Sequence, residues 1–280
     1  MTTRLSFLLL YVLIDVSVSA QQGSLLPPKD SIAAEVKRMQ RGETDSVRFS
    51  AAERFDSIVR TYLQSDSALE QKPDIAPNIA MVNAPDGRFR ILTWVVPAFD
   101  GKAYHFCGYL QWKSEKRQRI VLDRLMDSTM SVRKPESEKL SSERWFGATY
   151  YETITKRHAR KTHYVLLGWK GKDNLVTQKV MDVLTFDGDK PRFGSPLFKK
   201  ERIVRSRIVF SFNASASMSL RYEPSRRMIV NDHLFLPKVQ DGTVDFSQAG
   251  PDGTYDGYRF RSGKWQWKGD IDMRMKKPRR

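Results

Sequence analysis

Six Asp-Gly pairs, at 86, 100, 187, 241, 252 and 256, punctuate the last two-thirds of this 280-residue chain. Asp-Gly supplies the positive φ that tight hairpins need, so each pair marks a place where the chain turns back on itself. Between the pairs, apolar and polar residues alternate. Ile208, Phe210 and Phe212 alternate with Arg207, Val209 and Ser211. Met218, Leu220 and Tyr222 alternate with Ser219 and Arg221, and Tyr258 and Phe260 with Arg259 and Arg261. Period two with charge on the outer face is the pattern of a half-buried antiparallel strand. The spacing predicts an all-β domain over residues 86–268.

A faint repeat runs through that domain. IVLDRL (120–125), VMDVL (180–184) and IVNDHL (229–234) place Asp123, Asp182 and Asp232 at intervals of 59 and 50 residues. Matching strand patterns, AYHFCGYLQW and THYVLLGWKG, precede the first two. A period of this length built of short antiparallel strands predicts a meander domain with a propeller-like arrangement. A β-sandwich is the alternative architecture.

Residues 21–85 read differently. Ser50-Ala51-Ala52-Glu53 is a capping-box pattern, and Phe55, Ile58, Val59, Tyr62 and Leu63 follow on one helical face. A thinner stripe, Ile32, Val36 and Met39, predicts an earlier helix over 31–40. Pro73, Pro77 and Pro85 mark residues 72–85 as a linker, and residues 269–280 form a basic tail.

The first twenty residues have the layout of a secretory signal. Arg4 precedes an apolar run over 5–14, and Val18-Ser19-Ala20 offers small residues at a cleavage site. Ten apolar residues as a helix cover about 15 Å, half of a bilayer core of about 30 Å. The expected destination is therefore outside the cytoplasm, with no later spanning helix. A single cysteine, Cys107, excludes an internal disulfide and a multi-cysteine metal site. Its aromatic neighbours predict a buried, unreactive thiol.

The net charge is +16, and all of the excess belongs to residues 86–280. Residues 21–85 hold eight basic against nine acidic residues, whereas residues 259–280 hold nine basic and two acidic. Arg205 and Arg207, read as outward on a strand, and Arg274, Lys276, Lys277, Arg279 and Arg280 of the tail are the expected contacts with an anionic partner. Nucleic acid fits the charge but not the export signal, and no reading motif for DNA or RNA is present.

The sequence lacks the GxSxG, HExxH, Walker and GxGxxG patterns, so it points to no cofactor and assigns no catalytic residue. Ser131-Val132-Arg133-Lys134 has bare SxxK spacing without its companion motifs. Asp232-His233 is the most suggestive pair, but neighbours on a strand face opposite ways. Asp187-Gly188-Asp189 and the aspartates at 252 and 256 are turn residues before they are Ca²⁺ ligands, and no metal site is expected. The catalytic candidates are Asp182, Asp232, His233, Asp252 and Asp256. Asn213-Ala214-Ser215 fits a glycosylation sequon.

YVLLGWKG (164–171), MDVLTF (181–186), RFGSPLF (192–198), SASMSLRY (215–222), IVNDHL and PDGTYDGYRF (251–260) occur in an order that resembles a family of exported β-rich proteins of Bacteroidetes-type bacteria. That family has no established activity, so the resemblance implies export to the periplasm or outer envelope of a Gram-negative bacterium and transfers no catalytic residue. The family pattern has an aromatic residue where Asn231 stands here. Such a context also implies O-glycosylation at Asp-Ser/Thr sites, of which 30–31, 45–46, 56–57, 66–67 and 127–128 are examples. Two functions follow as expectations. One is a non-catalytic binding or assembly module for envelope proteins or for anionic glycan and lipopolysaccharide. The other is an exported hydrolase of glycan or peptide using the aspartates.

Overall fold

The computed structural model describes residues 26–65, 69, 75–76 and 79–274. The expected signal, part of the proline-containing linker, the Asp66-Ser67 site and the tail beyond 274 lie outside the described residues.

Helices α1 (Lys29–Arg41) and α2 (Asp45–Leu63) form an antiparallel pair. Ile32, Val36 and Met39 of α1 are buried, as their spacing predicts. Gly42 closes α1 where a Cβ would lie 2.7 Å from the Arg38 carbonyl oxygen. Thr44 then caps α2, its Oγ1 accepting the Val47 N–H at 3.3 Å. The helix thus begins at Asp45 rather than at Ser50, and the expected capping box lies inside it. The earlier cap wins because it satisfies a free N–H directly after the turn out of α1.

Strands β1 (Ala80–Asn83), β2 (Phe89–Pro97), β3 (Tyr104–Ser114) and β4 (Arg119–Arg124) form the first sheet in chain order. β1 lies inside the stretch expected as linker, pairing Ala80 with Thr93. The second sheet is a meander of β5 (Thr149–His158), β6 (Lys161–Gly171), β7 (Val176–Asp187) and β8 (Lys190–Phe193), and β11 (Ile208–Asn213) also pairs with β7. The third sheet runs through β12 (Leu220–Glu223), β13 (Met228–Phe235), β14 (Gly250–Arg261) and β15 (Lys264–Lys268), then to β9 (Phe198–Lys200) and β10 (Ile203–Arg205). Pairing is antiparallel except between β15 and β9.

Alternation along the strands builds the layers. On β2, Leu92, Trp94 and Val96 face the helices, while Phe89 and Ile91 face the second sheet. On β6, Tyr164 and Leu166 face the first sheet, while Val165 and Leu167 face the third. On β13, Ile229 faces inward, and Met228 and Val230 meet Ile271 and Met273 on the outer face. The order is therefore helices, first sheet, second sheet, third sheet. The antiparallel meander domain is observed, and its sheets stack face to face instead of closing into a propeller. The first two sheets are covered on both faces, with helices capping one end of the stack, whereas the outer face of the third is covered only where Ile271 and Met273 meet Met228 and Val230. The repeated aspartates sit on β4, β7 and β13, one in each sheet.

Phe55 of α2 meets Trp94 edge-to-face at 5.2 Å, and both are buried. Phe55→Ala is expected to cost about 3–5 kcal/mol. Helix and sheet signals should then fall together at a lower denaturant midpoint, because the helices cover the first sheet.

Candidate functional site

The repeated aspartates have partners within their own sheets. Asp123 Oδ2 accepts from Trp112 Nε1 at 3.2 Å and from Ser142 Oγ at 3.3 Å, and burial raises its pKa. Asp232 Oδ2 accepts the Ser219 N–H at 2.8 Å. Asp182 is fully buried between the first and second sheets. Its Oδ2 accepts from Tyr150 Oη at 3.1 Å and lies 2.8 Å from Arg207 Nε, while Oδ1 accepts the Val183 N–H.

Arg207 is thus not on an outer strand face. It lies between β10 and β11, is 0% exposed, and donates from Nη1 to the Pro135 carbonyl. The strand pattern breaks at Ser206, which frees Arg207 to turn inward toward the buried carboxylate. Arg205 stays partly exposed and pairs with Glu136 at 3.1 Å. Arg274 is exposed and pairs with Asp272, and Lys276, Lys277, Arg279 and Arg280 lie outside the described residues. Asp182→Ala, which strands the Arg207 charge, is expected to cost about 3–5 kcal/mol. Asp182→Leu combined with Arg207→Met should recover most of that loss in chemical denaturation.

A second buried cation lies beside the first. Lys170 Nζ donates to Gly147 O at 2.6 Å and Thr129 Oγ1 at 2.7 Å, with the rings of Phe106 and Phe146 each 4.4 Å away. Arg207 stands over the same Phe146 ring at 5.4 Å. Burial lowers the Lys170 pKa from 10.5 to about 8, opposed by Asp127 and assisted by Arg207. Across that window the unfolded chain keeps a proton that the folded chain has released, so this group makes stability rise with pH. Lys170→Met should remove that contribution. The difference between wild-type and variant denaturation midpoints at about pH 7.5 and about pH 10 measures it.

The structure brings three of the five catalytic candidates together. β14 carries extra residues opposite His233, where the register passes from Asp232↔Tyr255 to Leu234↔Pro251. Gly253, at φ +88°, makes that bulge. The bulge places His233 Nδ1 2.9 Å from Asp256 Oδ2 and Nε2 3.9 Å from Asp252 Oδ2. Asp252 Oδ1 also accepts the Thr254 N–H, which lowers its pKa. Asp232 and Asp182 do not join this group, and among the described residues no His, Cys, Asp and Glu cluster is arranged to hold a metal.

Other candidate residues have structural partners. Cys107 is partly buried, and its thiol is pushed up to about 11 by burial first and Asp56 next. Asn213 Nδ2 donates to the Ser247 carbonyl. Ser131 Oγ donates to Ser128 O, and the Lys134 N–H meets Glu138 instead of a nucleophile. Asp187 is held at about 2 by Lys139 and Lys161.

What the sequence reading missed is how the hairpins gather. The turns at 86–88, 113–119, 157–161, 187–190, 223–227 and 261–264 share one end of the stack. Arg88 pairs with Glu115 and lies 3.9 Å from Asp189, and Lys161 reaches Asp187 at 2.7 Å. A Cβ at Gly263 would run into the His158 ring, which links the turns of the second and third sheets. Met228 pairs with Arg259, which brings in the turn at 223–227. These six turns hold thirteen Lys and Arg against five Asp and Glu. The opposite turns at 98–103, 172–175 and 236–249 hold three against four. Arg226 Nη2 donates to the Arg274 carbonyl at 3.2 Å, so the basic tail departs from the basic end.

A cleft of about 820 Å³ opens there between the first two sheets. Its floor is Arg88, stacked 4.8 Å over the Phe186 ring. None of the catalytic candidates lines it. Lys and Arg in the hairpin turns were the available sequence signal, but only pairing and register show which turns meet. No family model matches the chain, and neither a curated protein nor a solved structure does.

Proposed function

We propose that this protein is an exported, non-catalytic binding or assembly module that docks onto an anionic envelope surface, glycan or lipopolysaccharide, through the basic end of its sheet stack. The observation that carries this reading is the segregation of charge: six turns with a large cationic excess at one end, near-neutral turns at the other. Arg226, Arg227 and the start of the tail at Arg274 extend the same surface. Clustered cations raise the local concentration of an anionic partner and act over about one Debye length. The signal layout of the first twenty residues supports an envelope location. The hydrolase reading has less support, because Asp182 is neutralised in the core and Asp232, Asp252 and Asp256 lie away from the cleft.

Co-sedimentation of the mature chain with vesicles tests this. Lipopolysaccharide-containing vesicles are expected to bind it at low salt and to release it at about 0.5 M salt. Arg226→Glu combined with Arg227→Glu and loss of residues 275–280 should weaken binding about tenfold or more, with unchanged thermal unfolding. Equal binding to vesicles of neutral lipid alone would overturn the reading.

A further inference from the structure

We propose that the cleft between the first and second sheets is a built site for a short acidic oligosaccharide, an assignment that rests on the anion-docking reading above and names the ligand of its enclosed part. The cleft has the size of a small-ligand site and is walled by four hairpin turns from two sheets. Lys113, Arg119 and Arg160 line it as exposed cations, and among the described residues none of the three has a side-chain hydrogen bond or ion pair. They are the attractive element for a charged ligand.

The remaining lining selects among anions. Asp86 and Glu115 place carboxylates in the same cleft as the cations, and Thr162 adds a hydroxyl. Those carboxylates already accept from Tyr164 and the Arg88 N–H or pair with the Arg88 side chain. For their remaining lone pairs a phosphate brings at most about one or two O–H donors at neutral pH, whereas a sugar presents several hydroxyl donors beside its own charge. A nucleobase would need an open aromatic face, but Arg88 covers the Phe186 ring at 4.8 Å and Tyr164 Oη is committed to Asp86 Oδ2 at 2.7 Å. A polyhydroxylated anion answers both the cations and the acceptors.

The walls are also held in shape. Ser114 Oγ donates to Asp189, and the Glu115 N–H donates to the same carboxylate at 3.2 Å. Arg88 is braced by Glu115. Gln118, Ala159 and Arg160 adopt φ of 51°, 47° and 62°, so three of the seven non-glycine residues with positive φ among the described residues line this one cleft. Such backbone is costly for residues with a Cβ and tends to gather where geometry is held for a ligand. The two-residue turn Ala159-Arg160 thereby presents one of the free cations.

Titration calorimetry with the mature chain tests the site, using a galacturonate tetramer, a neutral galactose tetramer and inorganic pyrophosphate. The galacturonate tetramer is expected to bind, with the neutral tetramer and pyrophosphate each about tenfold or more weaker. Arg119→Ser combined with Arg160→Ser should lower affinity for galacturonate by about tenfold or more. Arg226→Glu with Arg227→Glu, outside the cleft, should leave it unchanged. Equal affinity for the neutral tetramer or for pyrophosphate, absence of galacturonate binding, or full affinity in the Arg119/Arg160 double variant would overturn the assignment. Vesicle docking that persists without galacturonate binding sinks only the cleft. Galacturonate binding without vesicle docking sinks only the surface reading.

Discussion

The ion pair between Asp182 and Arg207 is the contact on which the middle of the molecule depends. Asp182 lies on β7, the strand that pairs with β6, β8 and β11. Arg207 directly precedes β11 and reaches the Pro135 carbonyl. Two charges out of water cost least when they are paired, and Arg207 also donates from Nη1 to the Pro135 carbonyl while its buried Nη2 has no hydrogen-bond partner. The Pro135 contact ties the irregular segment 125–148 to this pair, alongside Leu140, Trp145 and Phe146 in the core. Trp145 Nε1 donates to Tyr150 Oη at 3.1 Å, and Tyr150 donates to Asp182, so the network continues into β5. Phe146 then serves two cations at once, Arg207 and Lys170.

Stacking has a further consequence for the surface. With the first two sheets covered on both faces, the surface left to carry a function is the ends of the strands and the outer face of the third sheet, where Lys199, Arg221 and Lys268 are exposed. At one end the hairpin turns are short and cationic. At the other, Phe99, Leu175, Phe235, Leu236, Val239 and Phe246 are exposed, and the nearby aspartates accept backbone N–H groups of their own turns. The molecule is therefore polarised along its strands, and the docking reading uses only the cationic end.

Much of the local structure was legible in the residues. Five of the six Asp-Gly pairs put glycine at positive φ, as hairpin chemistry requires. The sixth, Asp256-Gly257, lies within β14, where a Cβ would sit 2.8 Å from the Ile229 carbonyl oxygen. The repeat motif does mark equivalent places in successive sheets, yet it says nothing about how sheets are arranged. Alternation also misplaced Arg207. It reports which way side chains point along an unbroken strand, and β10 and β11 are broken at Ser206. Asp232 accepts the Ser219 N–H while His233 turns to Asp256, and the bulge that delivers Asp252 and Asp256 to His233 has no period to read.

The sequence by itself determined an antiparallel β-rich body behind two helices, an uneven distribution of charge and the absence of any familiar catalytic motif. These are properties of periodicity, turn chemistry and composition, which act over a few residues. The tertiary structure alone decided that the sheets stack, that Asp182 and Arg207 meet across the core, and that six basic turns share an end, four of them around a cleft. Those contacts join residues tens of positions apart, and the burial of facing sheet surfaces against one another selects which of them form.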